Sequence, residues 1–77
     1  MSDNLKLREL VKRFIARAEA LSWKGKKRDN AAVEYFVGAT HGAELAGDTA
    51  LAGHLRTLAV LVVAVGFQGV EAMAVGE

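Results

Sequence analysis

Glu34, His41, Glu44, Asp48 and His54 form the densest grouping, in this chain of 77 residues, of side chains able to hold a metal ion or move a proton. On one continuous helix Glu34 and His41, seven apart, fall on nearly the same line, and Glu44 follows His41 by three. An imidazole and two carboxylates would then share a face, and His54 arriving from another element could complete a zinc-like site. A lone helical histidine beside glutamates is more commonly a solvated or interface ion pair, so no metal is assigned. His54 lies on one side with Leu58, Leu61 and Val65, which predicts a partly buried ring satisfied by a backbone carbonyl or by Asp48.

Nucleophilic chemistry is poorly supplied. There is no cysteine, which also excludes disulfides and thiolate metal sites. Ser2 and Ser22 fall near a terminus and in a loop, and no threonine has an evident base. Trp23-Lys24-Gly25-Lys26 lacks the second glycine and the preceding strand of a phosphate-binding loop. The expectation is a protein that is no enzyme and carries no cofactor.

Charge supplies a second chemistry. Residues 1–28 hold nine of the ten basic side chains against three acidic ones, a net +6, whereas residues 29–77 carry a net −5, so the overall +1 hides a strong division. Lys6, Arg13 and Arg17 line up beside the apolar stripe of the first helix, and Lys24, Lys26, Lys27 and Arg28 extend the basic character. Such a segment could neutralise nucleic-acid phosphates, with Trp23 stacking on an unpaired base. It could equally face an acidic protein surface, a second copy included, or simply be solvated, with Trp23 closing the bottom of the core.

The elements that must position these groups are helical. There is no proline, and alanine, leucine, valine, glutamate, lysine and arginine dominate, most of them residues that enter a helix at little cost. After cap candidates at Ser2, Asp3 and Asn4, the residues Leu7, Leu10, Val11, Phe14, Ala18 and Leu21 recur at spacings of three and four, predicting a first helix over 4–22. Ser22 to Asn30 reads as a loop ending in two cap residues, so the second helix is predicted from Ala31. Gly47-Asp48-Thr49 supplies a terminating glycine and a cap, which starts a third helix at Thr49. Gly66 and Gly69 mark either a kink or the end of that helix, with Val70 to Val75 continuing it or forming a short fourth.

The fold predicted is therefore all-α: one small domain over 1–77, an antiparallel three-helix unit. Between Leu58 and Phe67 apolar residues surround the helix completely, and two neighbouring helices can hardly enclose it. That predicts a homo-oligomer, with a dimer favoured. Its interface is expected at Leu58, Val62 and Phe67 and at a small-residue groove made by Gly38, Gly42 and Ala46. The opening residues hold no apolar signal segment and the apolar run is short for a membrane span of about 20 residues. A cytoplasmic protein-interaction or scaffold module outside the membrane is the leading expectation, and a nucleic-acid-binding accessory protein the alternative.

Overall fold

The computed structural model describes residues 3–74, folded as α1 (Asp3–Ala20), α2 (Gly25–Leu45) and α3 (Thr49–Ala74), with no strand among the described residues. The cap considered at Ser2 and the continuation to Val75 lie outside them. Along α1 the predicted stripe holds: Val11, Phe14 and Ala18 are buried, and Leu7, Leu10 and Ile15 pack against them. The helix stops at Ala20, two residues early. The Ser22 N–H donates to the Glu19 carbonyl at 3.2 Å and the Trp23 N–H to that of Ala18 at 2.9 Å, with Ser22 at φ 58°. This closure uses a left-handed residue to satisfy the last carbonyls, and it leaves Leu21 beyond the helix and exposed.

The second helix corrects the sequence reading. It begins at Gly25, six residues before Ala31, so 24–28 is no loop: Lys24 is the flanking residue and Gly25 to Arg28 form the first turn. Lysine and arginine are good helix formers, and one glycine with a run of charges is a weak loop signal. Asp29 and Asn30, cap residues by composition, are helical. The other end follows the sequence: Gly47 at φ 80° and the Asp48 N–H bonded to the Ala43 carbonyl close α2, and the Asp48 carboxylate then accepts the Leu51 N–H at 3.2 Å to cap α3.

Pairs between helices fix their directions. Lys6 meets Asp48 at the turn between α2 and α3, whereas Arg28 lies over the ring of Phe67 and Glu44 pairs with Arg56. The helix α2 is thus antiparallel to both others. One phenylalanine from each helix meets at the centre: Phe14 is 5.0 Å from Phe67 and 6.1 Å from Phe36 between ring centroids, and all three are essentially inaccessible. Thr40, a buried polar residue of α2, donates its hydroxyl to the Phe36 carbonyl at 2.7 Å and so needs no other partner.

Gly66 breaks α3, with φ 81° and ψ 162° inside an otherwise helical run. Phe67 comes seven residues after Val60 and four after Val63, so on an unbroken helix it would share their outward stripe. Val70, seven after Val63, would do the same. The break re-phases the chain and turns both residues inward, where they are buried. Asp29 secures it: its carboxylate accepts the Phe67 N–H at 3.1 Å, as a helix cap would, although it belongs to α2. The same oxygen is 3.3 Å from the Arg28 guanidinium. Replacing Gly66 by alanine places a side chain in a backbone region that essentially only glycine occupies, and its Cβ would sit 3.3 Å from Asp29 Oδ2. Gly66→Ala should cost about 1–3 kcal/mol, read as a lower denaturant midpoint at unchanged slope; an unshifted midpoint would show that the break contributes nothing.

Candidate functional site

The five acid-base candidates do not converge. Glu44 Oε2 lies 2.6 Å from Arg56, Asp48 Oδ2 lies 3.0 Å from Lys6, and His41 and His54 are both exposed. Among the described residues no group of three histidines or carboxylates gathers around a common point. His54 is therefore not the partly buried ring expected, because it sits on the flank of α3 rather than against α1 or α2.

Two surfaces remain. The first is the outer face shared by α2 and α3. Val37 is more than half exposed, as are Val60 at 63% and Val63 at 74%. Between the helices runs a groove of about 350 Å³ lined by Val37, Thr40, His41, Ala59 and Val60, with the Glu44–Arg56 pair across it. Thr49–Ala72 is long and apolar enough, by length and composition, to cross a membrane, and well under half of its most apolar stretch is buried. The expected interface residues are distributed differently. Leu58, Val62 and Phe67 are buried in the chain's own core, because periodicity shows that a helix is apolar all round without showing which side turns inward. Gly38, Gly42 and Ala46 are exposed, and a Cβ added to Gly38 or Gly42 meets nothing within 4 Å. Within one chain that groove receives no helix, so Gly42→Leu would not overpack it.

The second surface is an aromatic cup at the corner where α1 turns into α2. Phe14 forms its floor. Trp23 and Tyr35 pack on Phe14 at 6.1 and 5.4 Å, inclined by 38° and 45°. With Ala31 they line a cavity of about 280 Å³, at whose rim stand Arg17 and Glu34. Burial raises the Tyr35 hydroxyl above its usual range, and the positive charges of Arg13 and Arg17 pull it back, which places both guanidinium groups within electrostatic reach of the ring. The sequence singles out Arg13, Arg17 and Trp23 for a charged surface and Glu34 only as a metal or acid-base candidate beside His41; it does not single out Tyr35. Only packing across the helices brings Glu34 and Tyr35 to Trp23, although on α2 Glu34 follows Ala31 by three and Tyr35 by four.

The remaining basic residues do not form one row. Lys24 precedes α2, and Lys26 and Lys27 diverge by about 100° around its first turn; all three are exposed. Arg28 is drawn partly inward, 3.3 Å from the Asp29 carboxylate and 5.5 Å from the Phe67 ring centroid, so it stands apart from the three exposed lysines. No known family, curated protein or solved structure matches the chain.

Asp48 offers a separable test of the α2–α3 turn. The Lys6 ammonium and the Leu51 N–H hold its carboxyl below the ordinary carboxylate range. A depressed folded value favours the ionised form in the folded state. Its contribution is present above the unfolded value of about 3.9 and is lost as pH falls through the lower folded one. Asp48→Asn keeps a capping oxygen and removes the charge. The variant should be less stable than the parent above about pH 5 and converge on it in acid; parallel acid-unfolding curves would show that the charge has no role.

Proposed function

We propose that the chain is a small helical interaction module that works as a homodimer, two copies meeting across the outer face of α2 and α3. The observation that supports this best is the row formed by Val60 and Val63 beside Val37, aliphatic side chains left more than half in water on the most apolar helix and its neighbour. Contiguous apolar surface of this kind marks interaction sites. A dimer related by a two-fold axis needs only one self-complementary patch on each copy.

A second copy fits this face better than lipid does. Gly53, Arg56 and Thr57 lie on the same outward side of α3 and are exposed. A cation among acyl chains is costly, whereas at the edge of a protein interface Arg56 keeps its pairing with Glu44. Sedimentation at micromolar concentration should show a dimer. Val60→Asp combined with Val63→Asp should give a helical monomer, while Val62→Asp, at a side chain 2% exposed, should unfold the chain outright. A parent chain that sediments as a monomer would overturn the reading.

A second reading, that the corner of α1 and α2 binds nucleic-acid phosphates, is favoured by Lys24, Lys26 and Lys27. They are exposed and make no ion pair among the described residues, and the first turn of α2 holds no acidic side chain. Like charges beside the positive end of a helix lower its stability, which a bound polyanion would reverse. Replacing all three lysines by alanine should flatten the dependence of binding on salt, the slope falling by up to about 0.7 for each single-strand phosphate that is no longer neutralised. The measurement is a polarisation titration at several salt concentrations; an unchanged slope would exclude these lysines.

A further inference from the structure

We propose that the cup of Phe14, Trp23 and Tyr35 receives one unpaired nucleobase, so that the basic corner selects single-stranded over duplex nucleic acid. The proposal rests on the second reading above and deepens it. Three rings meet there with Phe14 as the floor, and two of them, Trp23 and Tyr35, are only half-buried and rise as walls. Such walls can stack on a planar ring whatever its sequence identity. At about 280 Å³ the space falls just short of the roughly 300–1,000 Å³ of cavities that bury a drug-sized ligand. One ring system fits that space.

The rim carries the chemistry of a base edge. Arg17 presents only donors and Glu34 only acceptors, and neither is engaged in an ion pair among the described residues. A nucleobase edge offers acceptors and donors side by side. An acidic peptide bearing an aromatic residue would satisfy Arg17 but would set a carboxylate against Glu34. Arg13, one turn before Arg17 and also without a carboxylate partner among the described residues, and Lys24, next to Trp23 in the chain, are placed to meet the phosphates on either side. In a duplex the base is paired and stacked, and both must be broken before it can enter the cup.

Trp23 is the only tryptophan of the chain, so its emission reports on the cup directly. The test titrates the full chain with a mixed-sequence single-stranded oligonucleotide, as DNA and as RNA, and with the corresponding duplex. Polarisation of a labelled strand is followed in parallel. Saturable quenching by the single strand is expected, with the duplex at least tenfold weaker. Tyr35→Leu should weaken single-strand binding roughly tenfold, the scale of one base stacked on one aromatic ring, without changing the affinity for duplex; the melting temperature of the variant confirms folding. Equal binding of both forms with unchanged emission would overturn the cup while sparing the phosphate reading. Absence of any polarisation change at low salt would overturn both, and stronger quenching by an acidic peptide without tryptophan would overturn the nucleobase and assign the cup to a protein partner instead.

Discussion

The constraint on which the rest of this structure depends is that a helix apolar on every side has only two others to cover it. The chain meets it by dividing α3 at Gly66. Before the break α3 turns Leu51, Leu55, Leu58 and Val62 inward and leaves Val60 and Val63 outside; after it, Phe67 and Val70 enter the core. An unbroken α3 would have added Phe67 to the outward stripe and left Phe14 and Phe36 without their third ring. The cost of a glycine-only backbone state is offset by one buried aromatic side chain and by the Asp29 bond to the Phe67 N–H.

The same arrangement generates the corner. Phe14 touches Phe36 and Phe67 on its inner side and Trp23 and Tyr35 on its outer side, so the floor of the cup is also the centre of the core. The early start of α2 matters here. Because the helix begins at Gly25, Ala31, Glu34 and Tyr35 already lie on its second and third turns, held rigidly across from Arg17. Had the chain stayed irregular to Asn30, the basic side chains would have been spread along a loop with no wall opposite them. Rigid placement is what gives exposed charges and half-buried rings any selectivity.

Much of this is legible in the residues. The three helices, the inward stripe of α1, the closing glycine at Gly47 with its cap at Asp48, and a break at Gly66 all rest on local chemistry, which spacing displays directly. What escapes is long-range or phase-dependent. Asp29 has the composition of a local cap, yet its partner is Phe67, 38 residues on. Lys24 to Arg28 resemble a loop because their charges say nothing of the turn they form. Leu58, Val62 and Phe67 resemble an interface because an apolar helix has no polar face to show which side is buried. In the candidate site, Arg13, Arg17 and Trp23 are visible as residue types; Glu34 is visible only as a candidate ligand beside His41, and its place opposite Arg17, like the role of Tyr35, comes from the α1–α2 crossing.

The two surfaces use different parts of α2, and this bears on how they could act together. The groove toward α3 takes Val37, Thr40, His41 and Glu44, while the cup takes Ala31, Glu34 and Tyr35. At about 100° per residue the two sets are centred roughly a third of a turn apart, and they succeed one another along the helix. A copy seated over Val60 and Val63 therefore need not cover Trp23. A dimer formed there would carry two cups, and a strand long enough to reach both would bind the second at a high effective concentration. The division of charge fits the same geometry: the basic corner belongs to α1 and the start of α2, and the acidic side chains of Glu44 and Asp48 stand at the opposite end, each already matched by Arg56 or Lys6 of its own chain. In the dimer proposed above, association between copies would then rest chiefly on the aliphatic face, and the uncompensated positive charge would be left for the proposed anionic partner.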